Sequence, residues 1–330
     1  MNDFVLNFLK GGLMGKKIGR REFIKESARY GLTAAVGGSA FSHFVHAPSA
    51  YAIAQEGHGI AVVEGADYFA STFKAVELLG GMDHFVPKGS RVAILPNVQR
   101  WHPGTFTKPE IVRAIVQMCK KAGAKEVNCL SWLGMDNWEK AGLAAVLNEE
   151  GANLKLIESE DANFKPVKVP MGKALKEAMI MKEFFNNDVF IDIPITKDHA
   201  GNKFTGTMKN MMGLNYRTNN RENFHRPGWE TDINGIKHLD QCIADLNTIL
   251  LPALCVVDAT EFIITNGPMG PGEITRPQQV VAGVDRVAMD AYCCTLWGLK
   301  AEDIFQIKMA QDHGLGHMDL KKPNIKKVKI

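Results

Sequence analysis

The chain has 330 residues, 45% of them apolar and 23% charged, enough to bury a core in one large domain or two small ones. No run of 18 or more apolar residues occurs, which excludes a conventional membrane-spanning helix. The formal charge of +3 sits at the N-terminus: residues 1–52 hold seven Lys/Arg and three Asp/Glu, while 53–330 hold 32 basic and 33 acidic residues, so bulk charge gives no support to nucleic-acid binding.

The first predicted element is a leader. Gly19–Lys25 (GRREFIK) carries a twin-arginine pattern, Tyr30–Ser42 is weakly apolar, and Ala50-Tyr51-Ala52 supplies a small-x-small cleavage site. This order predicts a signal peptide over 1–52, a mature start near Ile53, and export by the twin-arginine machinery to the periplasm or another exported location. Residues 53–330 are then expected to form one α/β domain with no membrane span after cleavage.

Beyond the leader, strand-like and helix-like segments alternate. Gly59–Val63 and Arg91–Leu95 read as short strands. Thr107 is expected to cap a helix, with Pro109 in its first turn and Glu110 completing a capping box. Ile111, Ala114, Ile115, Met118, Cys119 and Ala122 mark one helical face, and Gly123 suits its end. Glu126–Leu130 reads as a strand, Trp138–Leu147 as helix, Asn153–Ile157 as extended, Ala174–Phe185 as helix and Asp188–Ile193 as a buried strand. A helix within Ile233–Leu250, a strand Ala253–Val257, a helix from an Asp285 cap to about Trp297, and a helix Ala301–His313 complete the series. Such alternation predicts an α/β fold: a largely parallel sheet, helices on both faces, and long functional loops at the strand carboxyl ends.

Six cysteines, Cys119, Cys129, Cys242, Cys255, Cys293 and Cys294, include no C-x-x-C pair, so the local spacing of an iron–sulfur or zinc framework is missing. No cofactor is assigned.

In an open α/β sheet, ligands bind outside the strand carboxyl ends. Three strands here end in unusual loops: Pro96-Asn97 with Arg100, His102 and Gly104; the stretch Lys197–Gly213 (KDHAGNKFTGTMKNMMG); and Asp258 with the turn-rich Asn266–Gly272. The middle loop combines three lysines, a histidine, two threonines and three glycines. Glycines let backbone N–H groups turn towards an anion, and Lys197, Lys203 and Lys209 add charge. Gly201–Gly206 has P-loop glycine spacing, but Thr207 stands where the phosphate-binding lysine belongs. Metal ligation by His199, His225 and Asp258 has no local spacing behind it, and no metal ligands are assigned.

Several motifs resemble the domain-of-unknown-function family 362. They are RVAILPN (Arg91–Asn97), TKPEIVRAIV with AGAKEV, IPITKDHAGNKFTGTMKNMMGL, VVDATEFIITNGPMGPGE, GVDRVAMDAYCCTLWGL and HGLG (His313–Gly316), in consistent order over about residues 59–320. The chain is similar to exported members with a twin-arginine leader. The positions that match the family pattern include Asn97, Lys197, His199, Thr205, Gly206, Lys209, Asn210, Asp258 and Gly267. Leu95 stands where the family pattern usually has lysine.

Residues and resemblance together predict an exported protein that binds a small anionic ligand, a carboxylate or phosphate. His199 and Lys209 are the candidate acid–base residues. Asn97, Lys197, Lys203, Thr205, Gly206, Asn210, Asp258 and Gly267 are the candidate ligand-binding residues. The rival expectation is a non-catalytic carrier of a metal or redox cofactor.

Overall fold

A computed structural model describes residues 59–330, so the leader predicted over 1–52 lies outside the described residues. Twelve strands are described: β1 Ile60–Glu64, β2 Arg91–Pro96, β3 Glu126–Ser131, β4 Asn153–Leu156, β5 Phe164–Lys168, β6 Glu177–Met181, β7 Val189–Ile193, β8 Leu254–Ala259, β9 Phe262–Ile263, β10 Ile274–Thr275, β11 Gln279–Gly283 and β12 Ile325–Lys329. The longer helices are α1 Tyr68–Leu78, α2 Pro109–Lys121, α3 Met135–Lys140, α4 Leu143–Glu149, α5 Ile233–Leu246, α6 Arg286–Thr295 and α7 Phe305–Asp312.

Eight strands form the central sheet in the order β12-β1-β11-β8-β7-β2-β3-β4. Five neighbouring pairs are parallel, and only β11 runs antiparallel to its neighbours β1 and β8. The fold is therefore the predicted largely parallel α/β type. The central strands β7 (VFIDI) and β8 (LCVVDA) are buried at every position, as strands covered on both faces must be. The two edge strands, β4 (NLKL) and β12 (IKKVK), are polar and partly exposed.

Alternation along the strands sorts the two faces. Val92, Ile94, Ile191, Ile193, Leu254 and Val256 join a core with α2 residues Ile111 and Ile115. Each such fully buried Ile or Val contributes roughly 1.5–3 kcal/mol. Leu95, Asp192 and Cys255 fall on the opposite phase, where Asp192 meets Asn210 and Leu95 lies beside Gly213. Register brings Leu95 opposite Asp192 and Asp192 opposite Cys255, so the carboxyl ends of β2, β7 and β8 sit side by side.

Four local expectations are corrected. Thr107 does not cap α2; Lys108 is the N-cap residue, and the Thr107 hydroxyl instead donates to Ile193 O at 2.7 Å and accepts from Asn97 N at 3.0 Å. Trp138–Leu147 is two helices, because Gly142 adopts φ 73° and turns the chain between α3 and α4. Ala174–Phe185 is not helical: Glu177–Met181 pairs antiparallel with Phe164–Lys168, burying Ala178 and Ile180, and a 3-10 turn follows. There the pairing partner overrides local helix preference. Ala301–His313 is a 3-10 turn and then α7, separated at Ile304. The ends predicted from Gly123 (φ 88°) and Asp285, which accepts from Ala288 N at 2.9 Å, match the structure.

Candidate functional site

Loops from four strand ends converge on a cavity of about 430 Å³. Strand β2 contributes Leu95, Pro96, Asn97 and Arg100, and β3 contributes Ser131, Trp132 and Leu133. After β7 come His199, Thr205, Lys209, Asn210, Met212, Arg217, Arg221 and His225, and the loop between β9 and β10 sends in Met269. Among the described residues, Lys209 and three arginines line the cavity, and no Asp or Glu does.

The floor is built by a chain of amides. Lys197, wholly buried, donates from Nζ to Asn97 Oδ1 at 3.0 Å and to Thr105 O at 2.6 Å. Asn97 Nδ2 donates to Asn210 Oδ1 at 2.9 Å, and Asn210 Nδ2 donates to Leu95 O at 2.9 Å and Asp192 Oδ1 at 2.7 Å. Burial pushes the Asp192 carboxyl well above its usual range, and the nearby Asp290 adds to this. Burial also lowers the Lys197 ammonium to about 7, helped by the neighbouring Lys209.

Lys209 stands on the short helical turn Thr207–Asn210. That turn is anchored by Asp290, whose Oδ1 accepts from Thr207 N at 2.7 Å and Oδ2 from Met208 N at 3.2 Å. Lys209 is 8% exposed, forms no ion pair among the described residues, and has Met212 Sδ 3.8 Å from its Nζ. Burial lowers its pKa to about 8, with the Asp240 carboxylate acting in the opposite direction. The Thr205 hydroxyl, also on the cavity wall, is buried with no hydrogen-bond partner.

His199 Nδ1 lies 2.7 Å from Ala200 O, an acceptor, so the proton belongs on Nδ1 and Nε2 carries the lone pair. His225 repeats the arrangement, with Nδ1 3.0 Å from Asn220 O. Burial, reinforced by Lys209, holds His199 well below its ordinary pKa and lowers His225 to about 4, so both rings are neutral near pH 7. Trp229 packs against both.

Of the residues singled out from sequence, Asn97, His199, Thr205, Lys209 and Asn210 line the cavity, and Lys197 lies directly behind Asn97. Lys203 is exposed and away from the lining, at φ 63°. Asp258 is buried outside the lining; its carboxylate accepts from Lys108 N at 2.8 Å and from Thr260 N and Oγ1 at 3.0 and 2.6 Å. It thereby ties the start of α2 to the end of β8. Gly267 also lies behind the wall: its N donates to Asp198 Oδ2 at 2.8 Å, and an added Cβ would stand 1.8 Å from Asp198 O. Gly206 packs against Asp290, where an added Cβ would stand 2.3 Å from Oδ1 and 2.6 Å from the Phe204 ring. Gly206→Ala should therefore cost about 1–3 kcal/mol from overpacking alone, read as a lower midpoint in urea unfolding. An unchanged midpoint would show that the Asp290 anchor gives way without cost.

Trp132, Arg217, Arg221 and Met269 were not among the sequence candidates. The signal for the two arginines is their four-residue spacing, which a helical turn places on one side. Among the described residues, no group of three His, Cys, Asp or Glu side chains is placed to hold a metal ion, and all six cysteines are unpaired and buried. No helix among them is long and apolar enough to cross a membrane.

Comparison with known proteins gives three likenesses. The Thylakoid-associated protein sll1697 of Synechocystis sp. is 30% identical over 157 residues, 46% of this chain and 47% of that protein. The chain thus spans about half the length of that curated relative. The solved lactate racemase apoprotein from Thermoanaerobacterium thermosaccharolyticum aligns over 66% of this chain and 54% of its own, with a TM-score of 0.41 and 15% identity. The family described as Domain of unknown function (DUF362) matches residues 92–295, well over half of the chain, and the chain belongs to that family.

Proposed function

We propose that the cavity binds a small carboxylate or phosphate, with the Lys209 ammonium and Thr205 hydroxyl as its inner contacts. The observation that carries this reading is a buried ammonium with no oxygen partner in a cavity lined by no carboxylate. A buried cation is costly unless it is paired. An anionic ligand supplies the missing pair, and each charge-assisted hydrogen bond contributes about 1.5–3 kcal/mol net.

The same geometry suits proton transfer. A ligand oxygen held by Lys209 would place the neighbouring atoms near His199, whose Nε2 lone pair is free to accept a proton. The proton would leave a C–H or O–H bond of the ligand for Nε2, and the electron pair left behind would be stabilised by the Lys209 ammonium.

The test is calorimetric titration of the full chain with succinate between about pH 7 and pH 9.5. The probe keeps its charge there, because carboxylates titrate near pH 4. Binding needs protonated Lys209, so affinity should fall as pH rises through about 8. Flat affinity across that range removes Lys209 from the site. Hydrogen–deuterium exchange of the probe's C–H groups in heavy water, followed by NMR, reads the proton-transfer step separately.

We further propose that Gly19–Lys25 directs export by the twin-arginine route, in line with the cleavage pattern at Ala50–Ala52. Cell fractionation of the wild type and an Arg20→Lys/Arg21→Lys chain checks it; equal export of both would overturn it.

A further inference from the structure

The positive charge of the cavity lies at two depths. Inside are Lys209, 8% exposed, with Thr205 and His199, 3% and 5% exposed. At the outside are Arg217 and Arg221, both exposed and both on the lining. Arg217 begins a single helical turn, Arg217–Asn219, that runs directly into a π turn, Asn220–Phe224. Residues four apart on such a segment share a side. Neither arginine forms a salt bridge among the described residues, although Glu222 is the sequence neighbour of Arg221.

Two like charges at that spacing repel by about 0.2–0.5 kcal/mol on an exposed helix. Here they face a wall that offers no acid to relieve them. Arg100, the third arginine on the lining, is already engaged: its guanidinium lies 5.4 Å from the Trp101 ring and its Nε contacts Met269 Sδ at 3.2 Å. The lining also carries the apolar side chains of Trp132, Leu133, Met212 and Met269.

We infer that the ligand is a dianion with its two charged groups at opposite ends, a dicarboxylate or a phosphorylated carboxylic acid. One end takes Lys209 and Thr205. The other takes the Arg217–Arg221 pair, whose planar guanidinium groups suit two-pronged contact with carboxylate or phosphate. This inference rests on the proposed anion site and adds the second contact.

The experiment titrates the full chain by calorimetry with butyrate, succinate, glutarate and adipate, in three forms: wild type, Arg217→Gln/Arg221→Gln, and Lys209→Met. At least one dicarboxylate should bind the wild type ten or more times tighter than butyrate, equivalent to about 1.4 kcal/mol. The double arginine variant should lose that advantage and keep the butyrate affinity. Added salt should shrink the advantage more than it weakens butyrate, because the arginines are exposed and screened. A dicarboxylate advantage of less than threefold, or one that survives in the arginine variant, overturns the inference while Lys209→Met still tests the inner site. Failure of Lys209→Met to weaken any acid, or absence of binding by all four up to about 10 mM, overturns the underlying anion site as well.

Discussion

Lys209→Met is expected to weaken binding of succinate by about a hundredfold at neutral pH, equivalent to about 2.7 kcal/mol. Removing one partner of a buried charge pair costs about 2–5 kcal/mol in binding, and Lys209 is the innermost cation on the lining. Stability should move by less than about 1 kcal/mol. Methionine fills nearly the same volume, and the ammonium's hydrogen-bond contact is to the Met212 sulfur, so the free protein loses no hydrogen bond to oxygen. Four neighbours would notice: Lys197, His199 and His225 lose a charge that lowers them, and Asp240 loses one that balances it. The Asp240 carboxyl is raised by burial and lowered by Lys209, and it keeps the Asn202 and Gln306 donors when Lys209 is gone. Calorimetry and urea unfolding on the same preparation separate the two effects. Wild-type affinity in the variant would remove Lys209 from the site, whatever happened to stability.

Arg286→Met should cost about 3–5 kcal/mol, because it leaves three buried acceptors without their donor, at about 1–3 kcal/mol each. That is a large part of the 5–15 kcal/mol that holds a typical domain together. Arg286 is 5% exposed and sends three contacts from Nη1: to Asn247 O at 3.1 Å, Asn247 Oδ1 at 2.9 Å and Leu250 O at 2.8 Å. It also counters Asp192 and Asp290, which burial drives upward, Asp290 to about 6. Without it, three acceptors lose their donor and two acids lose their nearest balancing charge. Arg286→Lys keeps the charge but not the planar fork, so it should recover only part of the loss. Chemical unfolding followed by circular dichroism decides. A loss under about 1 kcal/mol would mean that water takes the guanidinium's place and that the acids are already neutral.

The arginine also reaches the site indirectly. Asp290 holds the turn that carries Lys209 and Asn210, so a weakened Asp290 should loosen both. Anion affinity in Arg286→Lys should therefore fall even where the protein remains folded.

The fold was readable in the sequence where short apolar runs were bounded on one side by proline, Pro96, Pro194 or Pro252. Arg91–Leu95, Asp188–Ile193 and Ala253–Val257 show themselves as buried strands, and their order implies a shared carboxyl edge. The inward residues of the middle loop followed from that edge. What sequence could not show was set by contacts distant in the chain. Ala174–Phe185 has the residues of a helix, yet Phe164–Lys168 supplies a strand partner. Asp258 ends its strand as a ligand group might, yet Lys108 N and Thr260 occupy its oxygens. Arg217 and Arg221 sit in a stretch with no apolar periodicity, because a single helical turn merges into a π turn, and only their four-residue spacing marks them. Their place at the cavity depends on how 194–232 packs, with Phe204, Met208, Met211, Leu214 and Phe224 all inside.

The amide chain through Lys197, Asn97 and Asn210 bolts the ends of β2 and β7 together, and Thr107 adds a rivet between the same two strands. Such a base cannot part without unzipping the sheet's own register. The exposed Arg217–Arg221 turn and Met269 lie outside that base, so substitutions there should change the rates of the proposed ligand while leaving the base undisturbed.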